Sequence, residues 1–344
     1  MSPAKRNVSS LQDLADIAGV SRATVSRALN DSPLINVKTR KKLQALAAEH
    51  NYTVNKQARD FRLRQTRVIS VVFMLDPKSD QHPSDPFFLE MLGGIADGLA
   101  EHDYDLLLAR APVRSIRELA DTRVVKHVDG VIFVGQGEEH ETLNELAEAG
   151  TSIVVWGGPV ADKKYALVGG DNFAGGYSVT THLLGLGRKR VAFFGNRRTP
   201  ENQARYDGYQ RALVEADITA DSKLVIDIPS DMEHAQAVIA HELGKDLDLD
   251  AIVCTSDVMA LAAISALAER GIRVPDDIAV TGYDDIRLAS YSSPPLTTVR
   301  QGIPQAGRAL VNTVLALISN QEIGDTVLKS ELIVRRSCGN RPSN

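Results

Sequence analysis

With only Cys254 and Cys338 among its 344 residues, the chain has neither a disulfide framework nor a cysteine-built metal site. It also lacks any stretch of eighteen or more apolar residues that would cross a bilayer. The opening residues, Met-Ser-Pro-Ala-Lys-Arg-Asn, lead into a polar segment rather than the apolar stretch of a signal peptide, so a soluble cytoplasmic protein is expected. Catalytic signatures are missing too. There is no Gly-x-Gly-x-x-Gly after a strand, no Walker loop, no Gly-x-Ser-x-Gly elbow and no His-Glu-x-x-His. The eight histidines do not pair at metal spacing. The nearest approach to a catalytic cluster is Asp284-Asp285, adjacent carboxylates whose side chains would point in different directions. An enzyme is therefore disfavoured, and neither a metal nor a cofactor is expected. Aromatics make up only 5%, with one tryptophan, so the position of each carries weight.

The length suits one small and one large domain, and 43% apolar residues are enough for a sizeable core. A net charge of −5 conceals an asymmetry. Residues 1–67 hold 13 Lys+Arg against 5 Asp+Glu, while the rest holds 26 against 39. A basic end on an acidic body is the footprint of a protein whose one end meets phosphate. A charge run alone is more often a solvated face, so the local motif has to decide.

Ser10-Leu11-Gln12-Asp13 reads as a capping box, with Asp13 where Glu or Gln is usual. Leu11, Leu14, Ala15 and Ala18 then form one apolar helical face. Gly19 ends that helix, and Ser21 caps a second running from Arg22 to Leu29. Val25, Ala28 and Leu29 face inward, leaving Arg22, Ala23, Ser26 and Arg27 outward. A third helix is expected over Val37–His50, with Leu43, Leu46 and Ala47 inside. Two short helices joined by a tight glycine turn form a helix-turn-helix, whose second helix enters the DNA major groove.

The run from Leu11 to Asn30 closely resembles the headpiece of the LacI/GalR repressor family, and the likeness continues through Thr39-Arg40, Leu46-Ala47 and Asn51-Tyr52. The resemblance implies that Arg22, Ala23 and Arg27 read bases. Arginine pairs with guanine O6 and N7, and the Ala23 methyl suits a thymine methyl. Gln12, Ser21, Thr24 and Asn30 fall where side chains reach phosphates and set register. Residues 55–62 correspond to the family's hinge helix, which folds over the minor groove when two copies meet. Asn55 is taken there as a DNA contact. Phe61 stands where the family places a wedging leucine, and Val54 where it usually has proline. Packing of Phe61 on the large domain is the alternative.

From Val68 the rhythm changes to apolar runs alternating with amphipathic stretches. Strands are expected at Val68–Leu75, Leu106–Ala109, Val131–Val134, Ile153–Trp156, Val191–Phe194, Leu224–Ile228, Ile252–Cys254 and Ile278–Thr281. Helices are expected at Phe88–Glu101, Leu143–Ala149, Phe173–Leu184, Tyr206–Ala216, Met259–Arg270 and Gln305–Ile318. Such alternation means parallel α/β sheets, and the length calls for two lobes. Further matches to the family are Asp171-Asn172 with Gly175-Gly176, Arg205 before Gly208, Ser256-Asp257, Gly282-Tyr283-Asp284-Asp285 and Pro295–Val299. With the resemblance, which implies the hinge and the periplasmic-binding-protein-like body, the expected fold class is an all-α helix-turn-helix headpiece (1–53), a hinge (54–67) and a two-lobed, periplasmic-binding-protein-like α/β domain (68–344).

Carboxylates, amides and arginine forks hold pairs of hydroxyls, and aromatic faces pack on sugar rings. Asp171, Arg205, Asp257 and Asp284 sit at or just after expected strand ends, or in loops, and binding groups of open α/β sheets gather at such ends. The resemblance favours Arg205 and Asp284 as direct contacts, then Asp171. Ser256 replaces the asparagine of many relatives, and Asp257 is either a contact or an N-cap. Phe88 and Trp156 are the candidate stacking platforms, with a core or staple role for Phe88 as the alternative. A sugar effector is favoured over a nucleobase, partly because Thr199 stands where a base-binding relative would have arginine. A ligand-free architectural protein is the reading from another class. The expected partners are a double-stranded, near-palindromic operator, a small effector and a second copy of the chain, which the resemblance implies is joined through Phe88–Glu101 and the region near Arg114–Lys126. No membrane partner is expected, and the tail beyond Val334 has no heptad leucines for tetramer formation.

Overall fold

The computed structural model describes residues 8, 10–29, 31–50, 52, 66–75, 81–110, 116–137, 139–245 and 248–339. The chain forms two compact units, divided between Thr66 and Arg67. The hinge positions Asn55 and Phe61, together with Val54, and Asn30 of the headpiece lie outside the described residues.

The small unit holds α1 (Leu11–Ala18), α2 (Arg22–Leu29) and α3 (Val37–Glu49). Val25, Ala28, Leu14, Ala15, Leu43 and Ala47 close its core. Asn36 caps α3 through a bond from the Lys38 amide.

The large unit begins with β1 (Val68–Phe73), α4 (Pro86–Ala100), β2 (Asp105–Arg110), α5 (Arg123–Lys126), β3 (Gly130–Val134), α6 (His140–Glu148), β4 (Ile153–Trp156) and β5 (Ala166–Gly170). It then crosses to a second sheet through α7 (Asn172–Gly185), β6 (Val191–Phe194), α8 (Pro200–Glu215), β7 (Val225–Ile226), α9 (Met232–Leu243), β8 (Ala251–Cys254), α10 (Asp257–Glu269), β9 (Ala279–Thr281), α11 (Arg287–Tyr291) and β10 (Thr298–Arg300). Next α12 (Ile303–Ile318) returns to pack on α4 and across β3, β4 and β5. β11 (Thr326–Leu328) joins the first sheet beside β5, and β12 (Glu331–Ile333) pairs antiparallel with β10. The sheet orders are β11-β5-β4-β3-β1-β2 and β7-β6-β8-β9, each with only parallel pairs. The chain thus passes between lobes at 171, 301–302 and 329–330.

Strand side chains alternate between two buried faces, as parallel sheets require. In the first lobe Val71, Phe73 and Val154 face α4 and α12, while Val72, Ile153 and Val155 pack with Leu143 and Leu146. In the second, Ala192, Phe194 and Ile252 share a cluster with α9 and α10, while Phe193 and Val253 meet Val179, Tyr209 and Leu213.

Two strands expected from apolar runs match without change, Ile153–Trp156 and Val191–Phe194. The expected strand Leu224–Ile228 shrinks to two residues, because Ser222–Leu224 turns as a 3-10 helix capped by Asp221. β5, β10, β11, β12, α9 and α11 were not expected.

Candidate functional site

In the headpiece, Ser10 Oγ accepts the Asp13 amide at 3.2 Å and Asp13 Oδ2 accepts that of Ser10 at 2.9 Å, closing the capping box. Gly19 sits at φ 68°, a left-handed conformation that glycine adopts without a Cβ penalty, and this turns the chain toward α2. Ser21 Oγ accepts the Thr24 amide at 3.1 Å and starts α2. Burying Val25 and Ala28 leaves Arg22, Ala23 and Arg27 exposed on one face. Gln12 is also exposed, its Nε2 donating to Asp16 Oδ1 at 2.8 Å. Lys38, Lys41 and Lys42 add exposed positive charge on α3. Among its described residues the unit thus presents two exposed arginines on α2 and three exposed lysines on α3.

In the large unit, functional side chains follow the carboxyl ends of the strands. Arg205, on the second turn of α8, is 9% exposed. Its Nε donates to Asn172 Oδ1 at 2.8 Å, and its Nη1 to the Thr255 carbonyl at 2.5 Å and Asn202 Oδ1 at 3.5 Å. The guanidinium lies 3.7 Å from the Tyr283 ring centroid. Glycine makes this possible: a Cβ at Gly176 would overlap the Arg205 backbone, and one at Gly175 the Tyr283 ring.

Asp284, 6% exposed, follows β9 at φ 115°, a conformation strained for any non-glycine residue. Its amide bonds the Val299 carbonyl at 2.8 Å, and its Oδ1 accepts Gln301 Nε2 at 2.6 Å. Asp285 turns the other way, accepting Arg300 Nε at 2.7 Å and Arg335 Nη2 at 2.6 Å. Burial pushes the Asp284 carboxyl up to about 7, against the pull of the Arg205 charge and the Gln301 bond.

Asp257 is fully buried, taking Thr298 Oγ1 at 2.5 Å and the Ile286 amide at 2.8 Å. Burial and the Asp284 charge raise its pKa, so the two titrate as a pair. Their folded pKa lies above the unfolded one. The stability they contribute is therefore present below pH ~4 and lost as pH rises toward ~7. Between pH 5 and 8 the protein is expected to lose more stability than its Asp284→Asn variant, measured by urea denaturation at both pH values. Equal losses would refute the assignment.

Several expected ligand contacts are corrected. Trp156 is 4% exposed and shares the apolar cluster of Val154 and Phe88, so it offers no open face. Phe88, 5% exposed, lies with its ring centroid 4.9 Å from that of Phe73, the rings tilted by 35°, and takes the core role kept as its alternative; Phe87 is half-buried beside it. Asp257 is neither an open contact nor an N-cap, because Ser256 caps α10 by accepting the Met259 amide at 3.2 Å. Asp171 caps α7 and stays exposed. The structure thus brings Arg205 and Asp284 together beside Asn172, Tyr283 and Gln301.

The two lobes meet at these strand ends. The Arg287 amide donates to Glu90 Oε1 at 2.8 Å, and a Cβ at Gly158 would come within 3.0 Å of the Glu201 nitrogen. The Glu90 charge adds to the rise of Asp284. Gln301 and Glu90, both acting on Asp284, were missed in the sequence. Gln301 follows a strand too short to show periodicity, and Glu90 stands on a helix with no motif around it.

Residues 10–55 match the family described as "Bacterial regulatory proteins, lacI family", and residues 180–338 match a "Periplasmic binding protein-like domain". The regulator RegA of Clostridium saccharobutylicum is 33% identical over 334 residues, covering 95% of this chain and 98% of that protein. The chain belongs to the LacI family. As a member it is a DNA-binding transcriptional regulator with a helix-turn-helix headpiece and a two-lobed α/β domain. A second LacI-family relative, the ribose operon repressor of Haemophilus influenzae, is 29% identical, covering 96% of this chain and 98% of its own. A solved structure, "transcriptional regulator CelR-cellobiose complex", is 30% identical with TM-score 0.71, covering 96% of this chain and 100% of that one. No helix among the described residues is long and apolar enough to cross a membrane.

Proposed function

We propose that this regulator represses transcription from a near-palindromic operator and is released when a saccharide enters the cleft between the lobes. The observation that carries the reading is Arg205. It is a buried guanidinium at the strand ends, backed by fixed acceptors and a tyrosine face, next to the strained Asp284. A fork and a carboxylate held this way match adjacent hydroxyls. The relatives named for ribose and solved with cellobiose support the same ligand class. The cleft is read as a binding site and not a catalytic one, since Asp284 and Asp285 are tied to different partners.

Closing the cleft would turn the lobes against each other about their three crossings. Ligand and operator then alter each other's affinity by one common factor. A two-fold operator requires two copies. Outward on α4 lie Leu89, half exposed, with Gly93, Ala96 and Ala100, a small apolar stripe suited to self-association. Light scattering should give a dimer.

A thermal-shift screen of saccharides, with nucleobases as controls, tests the effector. A ligand at ~100 times Kd adds about 2.7 kcal/mol, so binding will be plain. A shift with a purine alone, or silence across the saccharides, would sink the sugar reading. On the DNA side, Arg27→Ala should cost about 1–3 kcal/mol of operator affinity and relax preference at one base pair. A uniform loss across operator variants would make Arg27 a phosphate contact instead.

A further inference from the structure

The second lobe holds a cavity of about 850 Å³ at the end of its sheet opposite Asp284. The turn before β6, the end of α10, the loop before β9, the loop after α11 and the C-terminal turn meet there. Arg188 and Pro275 precede β6 and β9, so the cavity lies at the amino ends of strands whose carboxyl ends lead to the cleft. Ile264, Ile272, Val274 and Pro294 give it an aliphatic lining. Arg188, Arg273 and Arg336 line it too, against a single aspartate, Asp276. This is a basic spot on a body whose residues 68–344 carry 39 acidic and 26 basic side chains.

The three arginines are held differently. Arg273 is spent within its own loop: Asp277 takes its Nε at 3.0 Å and its Nη2 at 2.7 Å, and Asp276 lies 3.7 Å from its Nη1. Arg188 is half-buried and bonds carbonyls alone, that of Asp250 from Nη1 at 3.2 Å and that of Pro275 from Nη2 at 2.6 Å. Those bonds fix its fork but do not balance its charge. The same Nη2 lies 3.4 Å from where a Cβ on Gly339 would stand, so the guanidinium rests against the C-terminal turn. The Gly339 amide closes that turn on the Arg336 carbonyl at 3.2 Å. Ser337 ties it to the sheet, its Oγ donating to the Val280 carbonyl at 2.6 Å and accepting the Thr297 amide at 2.8 Å. Arg336 is exposed on this turn, and among the described residues its side chain has no partner. Two guanidiniums thus share one cavity with no carboxylate bonded to either.

A partly buried charge without a counter-ion is costly, and a guanidinium fork meets a phosphate or carboxylate with short, charge-assisted bonds. A phosphate monoester carries about −1.5 to −2 at neutral pH, which answers two guanidiniums better than one carboxylate does. The aliphatic lining suits a charge joined to an apolar body, and the volume falls within the roughly 300–1,000 Å³ of small-molecule sites. We propose that this cavity is an anion site, separate from the cleft, that takes the phosphate of an organic monoester between Arg188 and Arg336 and its apolar body against Ile264 and Val274.

The test is calorimetric titration of the full chain with phenyl phosphate, benzoate, inorganic phosphate and phenol, repeated with Arg336→Ala and Arg188→Lys. Arg336 supports no other group, so its truncation spares the fold, and Arg188→Lys keeps the charge while losing the fork. Phenyl phosphate should bind most tightly and phenol not at all, and each variant should weaken phenyl phosphate about tenfold or more, the loss of one charge-assisted bond. Benzoate binding more tightly than phenyl phosphate overturns the phosphate assignment, and inorganic phosphate binding equally tightly overturns the apolar half. Phenol matching phenyl phosphate, or silence from every anion, overturns the site. An unchanged Kd for phenyl phosphate in Arg336→Ala puts the anion elsewhere, at Arg205 or the headpiece lysines, and overturns it as well. None of these outcomes bears on the saccharide reading of the cleft.

Discussion

Replacing Arg205 with alanine is expected to leave ligand-free operator binding in place while abolishing the response to effector. The side chain donates to Asn172, Thr255 and Asn202, covers Tyr283 and is the positive charge opposing the rise of Asp284. Truncation leaves those buried acceptors unpaired and lets Asp284 climb further. The cost in stability should reach about 3–5 kcal/mol, the range seen when one partner of a buried charged network is removed. Arg205→Lys keeps the charge but loses the fork, so it should recover part of the stability and little of the ligand affinity. Urea denaturation and operator-release assays on both variants check this. An Arg205→Ala protein that still releases DNA on saccharide addition would remove Arg205 from the site.

The second large effect lies away from the ligand. α4 and α12 cross at Gly94 and Gly307, where a Cβ on Gly307 would overlap the Gly94 backbone. No side chain can yield, because both neighbours are main chain. Gly307→Ala should therefore destabilise the protein by about 3 kcal/mol, the upper end of the usual cost of overpacking. Gly185→Ala is the matched control. Its Cβ meets nothing within 4 Å, and the change should be neutral or stabilising by up to about 1 kcal/mol. Chemical denaturation of the two variants separates crowding from helix propensity, and equal effects would contradict the close crossing.

Legibility in the sequence followed physical locality. The headpiece was readable almost residue by residue, because its capping box, glycine turn and inward face all act within a few positions. Long apolar strands such as β1 and β3 announced themselves for the same reason. β7, β10, β11 and β12 are two or three residues long and depend on partners far along the chain, so no periodicity marked them. In the cleft, Arg205 and Asp284 stood on recognisable motifs. Glu90 did not, since its bond to the Arg287 amide exists only through the meeting of two lobes. Trp156 misled because a strand end looks open in one dimension, while α4 and α12 bury its face in three.

The order of the chain has a consequence for synthesis. The first lobe is begun at β1, but α12 and β11, which cover α4 and extend its sheet, follow only after β6 to β10 of the second lobe. About 200 residues separate the end of α4 from the start of α12. At ~5–20 residues per second, a ribosome holds α4 uncovered for about 10–40 s. The second sheet, whose last strand ends at Thr281, can assemble in that interval, before the first sheet has its covering helix and edge strand. Chaperone binding to nascent chains should accordingly peak before residue 303 emerges and fall once the returning helix docks.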